Sequence, residues 1–192
     1  MAIKHIGILA MQGAVIEHQQ MLTKIPNITT SLVKTANDLQ NIDGLILPGG
    51  ESTSMGKLLD YFALKMPLKQ KISEGLPVFG TCAGLILLAK NIEDEATCHL
   101  GTMNITVKRN AYGSQLDSFA TDLLIEEINK TSPLPLVFIR APYITKADDN
   151  VQILAKLDDK IIFARQDNML VSSFHPELTE NLQIHQYFLS MI

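Results

Sequence analysis

A single cysteine stands between two glycines in "PVFGTCAGLILLAK", residues 77 to 90, where an extended apolar run gives way to a helical one. With 77 to 81 as strand and 83 onward as helix, Cys82 occupies the sharp turn, and Gly80 and Gly84 relieve crowding around it. This is the G-x-C-x-G form of a nucleophile elbow, which raises the side chain above the sheet edge with a helix start beneath it. The partial positive charge of that helix start favours thiolate over thiol, and the amide N–H of Ala83 points toward any oxyanion formed on attack. Taken alone, these residues are as compatible with a buried, inert cysteine at a strand end, because free cysteine is among the most buried residue types.

A cysteine nucleophile needs a base, and "SSFHPEL", residues 172 to 178, offers one. If 170 to 175 is a strand, His175 and Glu177 are two positions apart and project to the same side. His175 can then take the thiol proton and later deliver a proton to a departing amine, while Glu177 fixes the tautomer and steadies the imidazolium. Pro176 cannot continue a central ladder, so the pair belongs at a strand end, where the sites of open parallel sheets lie. An isolated H-P-E is more often a solvated loop; the strand context is what favours the catalytic pair.

"LPGGEST", residues 47 to 53, follows the apolar run "GLIL". Its glycines let backbone N–H groups approach a ligand, and they could supply the other half of an oxyanion hole. Neither G-x-x-x-x-G-K-[ST] nor G-x-G-x-x-G is present, so a nucleotide loop has little support. The only arginines are Arg109, Arg140 and Arg165, against thirteen lysines. An arginine fork suits an α-carboxylate, which makes Arg109 and Arg140 the first candidates for an amino-acid substrate, with a surface ion pair as the plainer reading of each.

These residues must be held by a sheet. Apolar runs of strand length recur at 6 to 11, 44 to 50, 77 to 82, 135 to 142, 151 to 157, 160 to 166 and 169 to 177. Several are apolar almost throughout, as central strands covered on both faces are, and the early ones alternate with helical patterns near 14 to 24, 54 to 73 and 83 to 91. The expected fold is α/β: a doubly wound, flavodoxin-like, mostly parallel sheet flanked by helices. "DDK", 158 to 160, is a tight turn that adds an antiparallel hairpin to it, and a last helix spans roughly 179 to 191. At 192 residues, one domain over 1 to 192 is the simplest organisation.

Hydrophobic residues make up 46% of the chain and charged ones 19%, which fits a compact globular enzyme or binding domain better than disorder. A net charge of -4 without a basic stripe argues against nucleic acid and membrane surfaces. The N-terminal apolar run is short and leads into an amphipathic pattern, so it reads as a strand and not a signal peptide. No segment reaches the roughly 20 apolar residues of a membrane span, and a cytoplasmic protein is expected. Cys82 and Cys98 do not make a disulfide framework. No metal site is expected: Cys98 and His99 lack further ligands at suitable spacing. His5, His18 and His185 show no partner pattern and read as structural or solvent-facing, and Met11, Met21, Met55, Met66 and Met103 read as core filling.

The elbow cysteine, the upstream "PGG" loop and the downstream H-P-E together resemble the class I, or triad, glutamine amidotransferases. "LAMQGAVIEH" (9 to 18), "DGLILPGGEST" (43 to 53), "FGTCAGLILLAK" (79 to 90), "FIRAP" (138 to 142) and "SFHPELT" (173 to 179) are similar to the glutaminase subunits of pyridoxal 5'-phosphate synthase within that group. The resemblance runs from the first strand to the last helix. It implies hydrolysis of L-glutamine to glutamate and ammonia, with ammonia passed to a separate synthase subunit, and it implies no metal or organic cofactor. The implied triad is Cys82, His175 and Glu177. Gly50, Glu51, Ser52, Arg109, Ile139 and Arg140 would contact glutamine, and the oxyanion hole would combine Ala83 N–H with an amide of Gly49 or Gly50. Two positions depart from the family pattern: Ala10 replaces a frequent glycine, and Ser114 a usual arginine.

A chain spent wholly on a glutaminase domain leaves no synthetase domain to use the ammonia, and protonated ammonia is not nucleophilic. Activation by docking in a heteromeric complex is therefore expected, with "AMQGAV", including Gln12, in the docking and oxyanion-forming region. A γ-glutamyl peptidase with the same triad would release an amine or amino acid instead of ammonia. A flavodoxin-like module with Cys82 as redox sensor would need neither His175 nor Glu177.

Overall fold

The computed structural model describes residues 2–109 and 118–192. The chain alternates strand and helix through its first half: β1 (Lys4–Leu9), α1 (Val15–Thr23), β2 (Ile28–Val33), β3 (Gly44–Leu47), α2 (Ser52–Tyr61), α3 (Lys65–Ser73), β4 (Val78–Thr81) and α4 (Ala83–Leu88). The second half is mostly strand: β5 (Ala89–Ile92), β6 (Met103–Lys108), β7 (Ser118–Leu123), β8 (Leu134–Ile139), β9 (Tyr143–Ala147), β10 (Gln152–Leu157), β11 (Lys160–Gln166) and β12 (Met169–Ser172), followed by a 3-10 turn (Pro176–Leu178) and α5 (Gln183–Leu189). Among the described residues no helix is long and apolar enough to cross a membrane.

The main sheet runs β2-β1-β3-β4-β12-β11-β9-β6-β5, and its first five strands are mutually parallel. β3, β4 and β12 are buried at every residue because helices cover both faces. Successive side chains alternate between two cores. Leu45, Leu47, Val78 and Val171 join Met55, Leu59, Leu68 and Leu85 from α2, α3 and α4. Ile6, Ile8, Ile46, Phe79 and Leu170 meet Leu22 of α1 and Ile184 and Phe188 of α5. Parallel register brings Leu47 opposite Gly80 and Ser172 opposite Thr81, so the loops leaving β3, β4 and β12 emerge at one edge. That edge is where sites of open α/β sheets form.

The α/β expectation and the hairpin hold. β10 and β11 pair antiparallel across Asp158 and Asp159, both at positive φ (47° and 63°), as a two-residue hairpin turn of the primed kind requires. Other boundaries differ. The pattern at 54 to 73 is two helices, broken at Ala63 (φ 52°). In one continuous helix Pro67 would delete a hydrogen bond and crowd the turn before it; in the first turn of α3 its missing N–H costs nothing. The helix at 83 to 91 stops at Leu88, and Ala89–Ile92 becomes an edge strand. The final pattern, 179 to 191, follows a 3-10 turn (Pro176–Leu178) and is α-helical only over Gln183–Leu189. The run at 135 to 142 is β8, which leaves the main sheet to pair with β7. Met21, Met55 and Met103 fill the core and Met11 packs at its margin, whereas Met66 is 70% exposed. Ser114 lies outside the described residues.

Candidate active site

Cys82 joins β4 to α4 at φ 48° and ψ -98°, a left-handed backbone that a non-glycine residue adopts only when its surroundings impose it. Two glycines make the turn possible. A Cβ on Gly80 would come within 2.6 Å of the Gly84 carbonyl, and one on Gly84 would collide with the Leu47 carbonyl oxygen, so α4 can begin directly against β3 and β4 only without side chains there. Cys82 N–H then donates to Ser172 O at 2.8 Å, tying the elbow to the strand that leads to the histidine.

From Ser172 the chain turns across the sheet edge. His175 N–H donates to Val137 O at 2.8 Å, which anchors the residue against β8. The His175 ring hydrogen-bonds Cys82 on one side. On the other, Nδ1–H donates to Glu177 Oε1 at 2.7 Å. The expectation of a strand carrying both residues is modified: β12 ends at Ser172, and Glu177 is folded back by the 3-10 turn that Pro176 opens. Burial pulls the His175 pKa down, but its hydrogen bonds to Cys82 and Glu177 outweigh that and lift it to about 10. Burial pushes the Glu177 carboxyl up; neighbouring His18 and the bond from His175 outweigh it and hold the group below the ordinary carboxylate range. The resting pair is an imidazolium against a carboxylate.

A cavity of about 540 Å³ opens over Cys82 and His175. Gly49, Gly50, Glu51, Ser52, Arg109, Ile139 and Arg140 all line it, whereas Glu177 and Ala83, each adjacent in structure to a lining residue (His175 and Cys82), do not. Ala83 is the first residue of α4, so its N–H has no acceptor within the helix. Gly49 has no room for a side chain, because a Cβ there would strike His175 Cε1. The Glu51 side chain is engaged elsewhere: its carboxylate caps α2, accepting from Thr53 N–H at 3.0 Å and Ser54 N–H at 2.7 Å. Hydrogen bonds from Ser54, opposed by slight burial, hold the carboxyl at about 2, so what Glu51 offers the cavity directly is backbone. Arg109 reaches the rim with Nε on Glu95 Oε1 at 2.8 Å and Nη1 on Thr53 Oγ1 at 2.9 Å, leaving guanidinium N–H groups for a ligand. Arg140 sits at φ 41°, directly after β8.

The cavity also takes in three residues of the "AMQGAV" segment, Gln12, Gly13 and Ala14, and three apolar side chains to which the sequence assigns no role. Ile86, Pro142 and Leu178 form apolar wall, and Gly13 and Ala14 close one side. Gln12 is there too, with Nε2–H donating to Glu51 O at 2.7 Å and joining the loops after β1 and β3. The oxygen of Gly49 accepts from Ala14 N–H at 3.0 Å, and Gly13, at φ 96°, has no space for a Cβ against that oxygen. His18 and His185, read as lacking partners, are fully buried and bonded to each other behind Glu177. Cys98 is exposed, and His99 packs on Gly56 away from the cavity lining.

Residues 8–192 match the SNO glutamine amidotransferase family. The chain belongs to that family. It is 56% identical to the pyridoxal 5'-phosphate synthase subunit PdxT of Carboxydothermus hydrogenoformans, over 97% of each chain. It is 52% identical to the subunit of the same name from Haemophilus influenzae, again over 97% of each. A solved glutamine amidotransferase superposes with a TM-score of 0.91 at 40% identity, covering 97% of both chains. PurLQS from Thermotoga maritima shares the fold at a TM-score of 0.72 and 16% identity. Cys82, His175 and the glycine loops thus meet on a fold that members of the SNO glutamine amidotransferase family share.

Proposed function

We propose that this protein is the glutaminase subunit of a pyridoxal 5'-phosphate synthase, with a single domain over 1 to 192 that hydrolyses L-glutamine to L-glutamate and ammonia. The observation that carries this reading is one cavity containing an elbow cysteine at φ 48° and a histidine that bridges it to a buried glutamate. Cys82 Sγ attacks the carboxamide carbon, and the oxygen becomes an oxyanion facing Ala83 N–H and an amide of Gly49 or Gly50. His175 gives its proton to the nitrogen, the C–N bond breaks, and ammonia leaves a glutamyl thioester. Water then attacks that thioester with His175 taking its proton, the C–S bond breaks, and glutamate departs. Glu177 keeps the ring in one tautomer throughout. Arg109 and Arg140 supply the fork for the α-carboxylate, with Ser52 and the backbone of Gly50, Glu51 and Ile139 around the substrate's polar groups.

The ammonia goes to a separate synthase subunit, whose docking raises the turnover. Gln12, at the cavity rim, and Ile16, 65% exposed on α1, support a contact surface beside the mouth, and Leu178 continues it as an exposed apolar side chain. The test is release of ammonia and glutamate from glutamine, with and without the synthase subunit, beside Cys82→Ala. Partner-stimulated turnover that the substitution abolishes is the expected result. Absence of turnover with the partner present overturns the reading, and release of an amine from γ-glutamyl peptides in place of ammonia would move the protein to peptidase chemistry.

A further inference from the structure

Glu177 uses one carboxylate oxygen to hold His175, and its other oxygen, Oε2, is buried without a hydrogen bond. An anionic oxygen in that position costs stability unless something polar faces it. The group that faces it is His18, fully buried on α1, with Nε2 3.5 Å from Oε2 and 3.1 Å from Thr81 Oγ1. His18 Nδ1 lies 3.0 Å from Nε2 of His185 on α5. Phe79 packs edge-on against both rings, with centroids at 6.4 Å and 6.2 Å, in an apolar environment.

We infer that His18 is a positioning residue for Glu177: a neutral imidazole that directs its Nε2 proton at the carboxylate oxygen left unused by His175, and is itself held in that tautomer by a hydrogen bond from His185 Nε2–H. This rests on the glutaminase reading above.

The alternative tautomers are disfavoured on two counts. If His18 carried its proton on Nδ1 and donated to His185, its Nε2 lone pair could accept from Thr81 Oγ1–H at 3.1 Å, but it would also face the carboxylate oxygen at 3.5 Å with no proton between them. His185 would then hold its proton on Nδ1, a buried nitrogen with no partner. The assigned arrangement leaves only a lone pair unsatisfied there, which is the smaller penalty. Burial also keeps both rings uncharged at neutral pH: it pulls His18 below its ordinary value and His185 to about 3. Neutrality matters, since a second cation beside Glu177 would compete with the His175 imidazolium for the same carboxylate. The 3.5 Å separation is long for a hydrogen bond, as catalytic contacts often are before substrate is bound, and Thr81 Oγ1, 3.1 Å from Nε2 at the end of β4, shares the proton and holds the ring in place.

The test pairs two amides of similar size. In His18→Gln the amide reaches the former Nε2 position and still faces Glu177; in His18→Asn it reaches only the former Nδ1 position and faces His185. With the full chain and its synthase subunit, His18→Asn lowers kcat about tenfold or more with KM for glutamine within about twofold, and His18→Gln recovers most of that loss. The alkaline limb of kcat moves upward in His18→Asn, because a carboxylate with a bare oxygen holds the imidazolium proton harder. Equal activity of the two variants, or an unmoved limb, overturns the proposal. Imidazole ¹⁵N spectra of the unsubstituted protein decide independently of variant folding: protonated Nε2 and bare Nδ1 on both His18 and His185 are expected, and the reverse tautomer on His18 is fatal to the idea. These spectra do not depend on turnover, so an inactive wild-type protein would remove the glutaminase reading without deciding the tautomers.

Discussion

His175 Nδ1–H donates to Glu177 Oε1 at 2.7 Å across a single proline, although the strand that delivers them ends at Ser172. The bond exists because Pro176 starts a 3-10 turn that carries the glutamate back under the imidazole, where both side chains are shielded from water. In that setting a hydrogen bond to an ionised group is strong and its removal is costly.

Glu177→Gln keeps the shape of the pair and removes its charge. The amide can present N–H as readily as oxygen to Nδ1, which frees the ring to adopt the wrong tautomer, and turnover of glutamine falls by about 10²- to 10⁴-fold with little change in KM. Burial pulls the His175 pKa down while Cys82 and Glu177 lift it, to about 10, so loss of the Glu177 charge moves the alkaline limb of the rate profile to lower pH. Steady-state kinetics across pH 6 to 10 read both effects; a limb that stays in place would mean that Glu177 does not set the imidazolium.

Gly84→Ala tests the packing beneath the elbow. The added methyl would lie on the Leu47 carbonyl oxygen, a backbone atom inside the sheet that cannot turn aside. The expected cost is about 1–3 kcal/mol in denaturant unfolding, and the displaced Cys82 loses activity in the fraction that remains folded. Stability within about 0.5 kcal/mol of the parent would show that α4 can slide without penalty.

Local chemistry was legible in the sequence wherever local backbone geometry determines it. Gly80, Cys82 and Gly84 announce the elbow because only that spacing lets a helix start against the end of its own strand, and His175 with Glu177 is a contact between near neighbours. The break near Ala63 is missed because the apolar pattern of 54 to 73 runs on across it, although Pro67 fits only the first turn of a new helix. What could not be read depends on distant packing. His18 and His185 meet only because α1 and α5 cover the same face of the sheet, and neither side chain has a neighbour in sequence that hints at the other. β5 and β9 are short with mixed polar patterns, so their periodicity is weak until pairing is known, whereas β6 alternates buried apolar and polar residues throughout and its signal lay unread in the sequence. Glu51 carries an ambiguity of its own, since one carboxylate can bind a ligand or cap a helix, and the fold uses it as a cap.

Glu51→Ala separates those roles. Loss of the two hydrogen bonds to Thr53 and Ser54 destabilises the protein by about 1 kcal/mol at neutral pH, a modest figure suited to an exposed group. The folded carboxyl is held at about 2 against an ordinary 4.5. A depressed acid stabilises above its unfolded pKa and loses that contribution as pH falls, so the difference between parent and variant is full above pH 4.5 and closes toward pH 2. Unfolding midpoints measured over that range decide it, and a gap that widens in acid contradicts the cap.

Arg109 offers the clearest distinction between binding and architecture. Its guanidinium is braced by Glu95 at 2.8 Å and by Thr53 at 2.9 Å at the edge of the cavity it lines, without spending the whole fork on the protein. A lysine at this position keeps the charge and loses the planar, two-point geometry that suits a carboxylate. Arg109→Lys therefore raises KM for glutamine about tenfold, the effect of roughly 1.4 kcal/mol of ground-state and transition-state binding lost together, and leaves kcat nearly unchanged. If Arg109 only pins the segment after β6 to the start of α2, the substitution instead lowers the melting temperature and spares KM. Kinetics and a thermal melt on the same preparation distinguish the two, because a residue that holds substrate and one that holds the loop fail in different measurements.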